Sequence, residues 1–259
     1  MRVARIGLTP VKGLRHSHRT QVDLSATGPL GDREFCVIDR GRHQVLRTVQ
    51  HPQLLGLSAD WASGVLQVDF AGSVIEGEPR VTGEVLDLDY WGRPVAVDVI
   101  QGLWAARFSE FLGRPVCLGR IRTPGAVVFG ASVTLVLTEA VRSLWADLAP
   151  DVTVDPVAIS ARFRATFTLD STGEEDFHSG LVGRRVSVGS ASLRVVGPVA
   201  RCAVVNLDPD SGAFSGSVLP ALRRSADGEP IFGWEAVVES PGRVLVGDAW
   251  SLVKRTTGS

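Results

Sequence analysis

The sequence predicts a mainly β protein with a few helices (α+β), built as two β-rich units. Three observations predict it. Residues 1–95 break into short apolar or alternating runs divided by turn residues; a helical period occupies the stretch after Gly102; and a strand pattern returns beyond Phe163.

In the first unit the expected strands are Val3 to Leu8, Gln21 to Leu24, Glu34 to Asp39, Leu54 to Trp61, Val65 to Phe70 and Val95 to Ile100. Many short strands with frequent turns fit a barrel better than an open sheet. Trp104, Phe108, Phe111 and Leu112 then follow i, i+4, i+7, i+8 spacing, and Gly113 supplies a stop, so one amphipathic helix separates the halves. A second helix is expected from Thr138, read as its N-cap, with Val141, Leu144, Trp145 and Leu148 on one stripe before Pro150. Asp155-Pro156 opens a third, short helix. The later strands are expected at Phe163 to Leu169, Arg185 to Val188, Ser192 to Val196, Ala203 to Val205, Glu235 to Glu239 and Val244 to Val246, with hairpins at Gly189-Ser190 and Pro241-Gly242. Only the final Thr-Thr-Gly-Ser reads as frayed.

A chain of 259 residues with 44% hydrophobic content supports a substantial core. No apolar stretch approaches the ~20 residues needed to span a bilayer, and Met1 to Lys12 lacks a signal-peptide pattern, so a cytoplasmic protein with no membrane partner is expected. Lys12 and Lys254 are the only lysines, and the remaining positive charge is arginine, the side chain suited to bidentate grip on phosphate or carboxylate. Acidic and basic residues alternate rather than cluster, which speaks against nucleic-acid binding. Cys36, Cys117 and Cys202 lie far apart, without a C-x-x-C pair, which disfavours both a disulfide framework and a zinc site.

Cys202 draws attention because Arg201 adjoins it and a tight-turn sequence, Asp208-Pro209-Asp210-Ser211-Gly212, follows it. It is expected near the start of a strand. A neighbouring cation favours thiolate, the form that serves a metal or an electrophile. Cys36 and Cys117 sit between apolar neighbours and read as core. Taken alone, Lys12 and Arg33 read as solvated surface charges. His16-x-His18 is the only close histidine pair, and its place after Gly13 predicts a solvated loop pair. His178, behind Glu174-Glu175-Asp176-Phe177, is expected in a solvated acidic turn.

The segments PVKG (10 to 13), GDREFCVIDRG (31 to 41), LRTVQHPQL (46 to 54), ARFRATFTL (161 to 169), VARCAVVNLDPDSG (199 to 212), FGWEAVV (232 to 238) and PGRVLVGD (241 to 248) resemble, in this order, the MOSC family. The likeness is to its two-part members, those of the mitochondrial amidoxime-reducing component type, with an N-terminal MOSC β-barrel domain ahead of the MOSC β-barrel domain. It places the first domain at 1–95 and the second at 96–259.

The resemblance implies a molybdenum cofactor, a molybdopterin whose metal takes a protein cysteine as a further sulfur ligand; Cys202 falls at that position. It further implies that Lys12, Arg33, Arg47, Arg164, Thr166 and Arg201 hold the cofactor. Three departures stand beside it: Gly13 where a serine is common, Ala165-Thr166 in place of Pro-Asn, and Val204-Val205-Asn206 in a stretch that is threonine-rich in relatives. They are expected to remove side-chain hydrogen bonds around the cofactor. The implied activity is reduction of a small N-hydroxylated or N-oxide substrate. No flavin or nicotinamide fingerprint is present, so a separate electron-donor protein, a ferredoxin or a cytochrome b5-like carrier, is expected. The alternatives are a sulfur carrier using a Cys202 persulfide and a non-catalytic cofactor-binding module.

Overall fold

The computed structural model describes residues 1–128, 130–171 and 181–253. His178 with its acidic neighbours and the final Thr-Thr-Gly-Ser lie outside the described residues.

The chain is mostly β, with a closed five-stranded barrel in its N-terminal region. The ring runs Phe35–Asp39, Gln44–Val45, Val81–Tyr90, Arg93–Ile100 and Cys117–Ile121, and the last strand pairs back onto the first. Phe35–Asp39 is buried on both faces, and its period of two serves two cores: Phe35 and Val37 in one, Cys36 and Ile38 in the other. The helix Trp104–Leu112 (α1) buries Trp104 and Phe108 in the first of these cores, and Gly113, at φ 64°, ends it in the left-handed conformation.

A nine-stranded sheet forms the second unit, along the path Trp250–Leu252, Arg185–Val188, Ala191–Ala200, Pro230–Ser240, Val133–Leu137, Phe167–Leu169, Val3–Leu8 and Ser17–Arg19, with Arg223–Arg224 paired off it. Two of its strands therefore come from the N-terminal end of the chain. In the opposite sense, Gly242–Leu245 pairs with Gln21–Ser25. The helices Thr138–Leu148 (α2) and Pro156–Ser160 (α3) follow the second-unit strands, and Asp155 caps α3 by accepting a hydrogen bond from Val157 N (2.9 Å). No helix among the described residues is long and apolar enough to cross a membrane.

Several local expectations are corrected. Leu54 belongs to a 3-10 turn, Pro52–Gly56, and the strand starts at Ser58. Ala161–Phe163 is likewise a 3-10 turn, so the strand begins only at Phe167. Ala203 to Val205 is no strand: Ala203–Asn206 forms a 3-10 turn, and Cys202 follows the end of the Ala191–Ala200 strand instead of starting one. Three apolar residues between turn signals satisfy either conformation, and here the carbonyls that pin the turn decide. Thr138 is the first helical residue and not the N-cap; Leu137 holds that place, while Thr138 Oγ1 accepts from Ser171 N (3.2 Å). Pro241-Gly242 is a corner between sheets, since the strand after it pairs with Gln21–Ser25 and not with its predecessor. Strands at Ser73–Gly77, Val81–Tyr90, Cys117–Ile121 and Val133–Leu137 were not expected.

Candidate functional site

A cavity of about 410 Å³ is bounded by parts of both units, and all seven residues singled out from the sequence line it. Lys12 reaches it from the two-residue strand Val11–Lys12, which pairs in parallel with the barrel strand so that Val11 faces the core and Lys12 the cavity. Arg33 stands just ahead of Phe35–Asp39 in a left-handed conformation (φ 51°); its backbone N–H donates to Thr9 O (2.7 Å) and its guanidinium pairs with Asp32. Arg164 takes the same left-handed conformation (φ 51°) after the Ala161–Phe163 turn, and its Nη2 donates to Leu14 O (2.8 Å). A non-glycine residue at positive φ is uncommon, and two arginines held so at one cavity mark a constrained site.

Thr166 is buried, and its hydroxyl accepts from Thr134 N (3.1 Å), leaving its own proton available. Arg201 lines the cavity, yet most of its guanidinium is engaged inward: Nε donates to Phe232 O (2.8 Å) and Nη1 to Phe163 O (2.7 Å), while the buried Nη2 has no partner. Arg47 stands apart from the inner cations. Its guanidinium lies 4.1 Å from the Trp91 ring centroid and 3.9 Å from Asp89.

Cys202 is exposed, unlike the buried Cys36 and Cys117. A residue that the sequence reading passed over holds its loop: Arg162, whose Nη1 donates to Val205 O (3.0 Å), Leu207 O (3.0 Å) and Ser215 Oγ (2.9 Å). Its signal was the paired arginines of A-R-F-R, of which only Arg164 was chosen. Tyr90 and Trp91 were also missed, and the alternation of Leu86, Leu88 and Tyr90 with acids marks their strand.

The electrostatics are lopsided. Burial, together with the Arg33 and Arg164 guanidiniums, pushes the Lys12 ammonium down to about 7, and Asp32 and Cys202 only partly offset this. Burial and Arg33 lower Arg164 to about 9, and burial lowers Arg201 to about 10. These are cations awaiting a counter-charge, since Asp32 is taken by Arg33 and Glu229, on the cavity lining, is no cause of their shifts. His16, expected to be solvated, is buried beside this cluster; burial and the cations Arg33, Arg164, Arg5 and Lys12 hold its imidazole well below the usual range. His18 is exposed.

Of the departures, Thr166, Val204 and Val205 line the cavity, whereas Gly13, Ala165 and Asn206 do not. Ala165 points into the core beneath α2, and Gly13, at φ 98°, is one of the positions where only glycine is comfortable. Val205 packs in the same core as Ala165 while lending one edge to the lining. Val204 and Val205 therefore present apolar surface to the space a ligand would occupy, and Thr166 keeps a hydroxyl there.

Fold and site together define a β-barrel protein with one thiol set in a cationic cavity. The chain belongs to the MOSC family: the model of the MOSC N-terminal beta barrel domain matches residues 1–90 and that of the MOSC domain matches residues 106–251. No curated protein matches it. Among solved structures it is similar to the YuaD protein from Bacillus subtilis, at 14% identity over 96% of this chain and 93% of that one, with a TM-score of 0.45. YiiM from Geobacillus stearothermophilus is similar at 17% identity over 49% of this chain and 56% of that one (TM-score 0.31), and YiiM from Escherichia coli at 21% over 50% and 57% (TM-score 0.34). The MOSC family includes molybdenum-cofactor-dependent enzymes and sulfurtransferases.

Proposed function

We propose that this chain is a molybdenum-cofactor oxidoreductase that reduces N-hydroxylated or N-oxide substrates. One observation carries the reading: Lys12, Arg164 and Arg201 converge with charge left uncompensated on the cavity that Cys202 opens into, beside Arg33 in its pair with Asp32. That donor set fits an anionic pterin that brings its own metal. Among the described residues no group of three His, Cys, Asp or Glu side chains is arranged to bind a metal, so a metal here needs ligands beyond the protein's. A single soft thiolate suits a centre already bound by sulfur.

In this reading Lys12, Arg33 and Arg164 grip the anionic end, Thr166 offers a hydroxyl proton, Arg201 braces the Cys202 loop, and Cys202 supplies the sulfur donor. When bound, the cofactor supplies a two-electron redox centre. The overall reaction takes two electrons and two protons and releases water from an N–O bond. The electrons come from a separate carrier protein of the ferredoxin or cytochrome b5 type.

Elemental and pterin analysis of protein made in a host that synthesises molybdenum cofactor tests this: about one molybdenum and one pterin per chain are expected on the single-thiolate argument. Metal-free protein that still reduces the substrate, or zinc at that level, overturns it. The exposure of Cys202 favours a second reading, a persulfide sulfur carrier, which predicts thiol-bound sulfane sulfur and no molybdenum.

A further inference from the structure

We propose that Trp91 and Arg47 form a recognition plate on the cavity wall that selects flat, conjugated substrates that are neutral or anionic and rejects cationic ones. The proposal deepens the reductase reading and rests on it for the identity of the reacting bond.

Trp91 sits where a tryptophan is out of place. Tyr90 pairs with Arg93, so Trp91 and Gly92 are the two central residues of a two-residue hairpin, at φ 56° and φ 74°. Such a turn calls for Asn-Gly or Asp-Gly, because both residues must be left-handed. Glycine fills the second place; a bulky aromatic fills the first, where its Cβ is strained. The residue is 49% exposed, and its indole is held by the Arg47 guanidinium and a hydrogen bond with the Tyr90 side chain. The turn is nonetheless fastened, with Asp89 Oδ1 accepting from Gly92 N (2.9 Å), and the indole forms part of the cavity wall. A strained aromatic residue fixed at a ligand-facing position suits recognition.

The partners give the plate its charge. The Arg47 guanidinium stacks over the indole, and Lys12 and Arg93 each lie 5.4 Å from the neighbouring Tyr90 ring. A flat π system finds an aromatic face and a guanidinium plane. Asp89, 3.9 Å from Arg47, offsets part of that charge, and Lys12 and Arg93 leave the balance positive, so a carboxylate or an N-oxide oxygen is attracted and an amidinium or guanidinium repelled.

The test uses two nearly isosteric probes, benzoate and benzamidine, titrated calorimetrically into the full chain with its molybdenum content measured. Benzoate is expected to bind about tenfold or more tightly than benzamidine, the scale of one partly desolvated charge contact. Arg47→Glu should erase or reverse the ranking, and Trp91→Ala should weaken benzoate about tenfold. Equal affinity for the two probes overturns the proposal. So does an unchanged ranking in Arg47→Glu, which would assign the selectivity to the inner cations, or an unchanged benzoate affinity in Trp91→Ala. Because the readout is binding and not turnover, a chain without molybdenum sinks the reductase reading while leaving this ranking to be read on its own.

Discussion

Near pH 7 the Lys12 ammonium stands at the midpoint of its own titration, because burial and two guanidiniums oppose its charge. An anion bound beside it reverses that opposition and raises its affinity for the proton, so binding takes up a proton wherever the free site has lost one. Sulfate, which does not titrate in this range, should bind most tightly below pH 7 and lose about tenfold in affinity per unit above it, the slope of one linked proton. Lys12→Arg should flatten that dependence, since arginine keeps its charge. Calorimetry from pH 6 to pH 9 reads both, and a pH-independent wild type would contradict the assignment. The ligand-free fold carries the complementary sign: its stability rises as pH goes from about 7 to 10.5, where the unfolded chain still binds the proton and the folded one does not. The thiols separate equally cleanly. Cys202→Ser should abolish molybdenum retention or turnover while leaving the melting temperature in place, because the side chain is exposed, whereas Cys36→Ser, in the barrel core, should cost about 1–3 kcal/mol of stability for a buried hydroxyl with no shaped partner. Cys202 was legible in the sequence through its isolation and its arginine neighbour. Arg162 was not, because what distinguishes it from Arg164 is the set of carbonyls it meets from residues 205 and 207, which the sequence places more than forty positions away.

At the scale of elements, the hairpin bearing Trp91 is built against its own turn preference, and that has a measurable sign. Trp91→Asn keeps the left-handed conformation at lower steric cost and should raise unfolding free energy by about 0.5–1 kcal/mol while weakening benzoate binding. A stability loss in chemical denaturation would show that the indole packs for the fold and not for a ligand. The turn after Cys202 carries the opposite lesson about legibility. Ala203, Val204 and Val205 read as strand because apolar residues between turn signals carry no period in so short a run. What makes them a 3-10 turn is tertiary: Val205 is buried beneath α2, and Arg162 clamps the carbonyls that a ladder would otherwise have used. Val3–Leu8, Val65–Phe70 and α1 were legible from their apolar patterns, whereas the ten-residue Val81–Tyr90 was missed although Leu86, Leu88 and Tyr90 alternate with acids.

On the scale of the whole molecule, the cavity depends on two units that the chain ties together twice. Val3–Leu8 enters the nine-stranded sheet beside Phe167–Leu169, and Gly242–Leu245 leaves it to pair with Gln21–Ser25. Arg15 adds a third tie by donating to Asp210 O (2.7 Å) in the loop after Cys202, and Gly212 of that loop packs so closely on Pro52 that a Cβ there would come within 1.9 Å of its carbonyl oxygen. These non-local ladders were invisible to a reading along the chain, which sees elements but not their partners. Their consequence is cooperativity: the large sheet cannot open without freeing Val3–Leu8, which runs directly into the barrel-paired Val11–Lys12, and the Gly212 loop packed on Pro52. Thiol labelling of buried Cys36, in the barrel, and amide exchange at Val195, in the large sheet, should therefore report one urea midpoint and one free energy of opening. Gly212→Ala should lower that shared midpoint by the cost of displacing the loop from Pro52, without splitting the transition. Two midpoints in the wild type would mean that the units unfold separately, and the cavity would then be a junction between independent domains instead of a site that the whole fold holds in place.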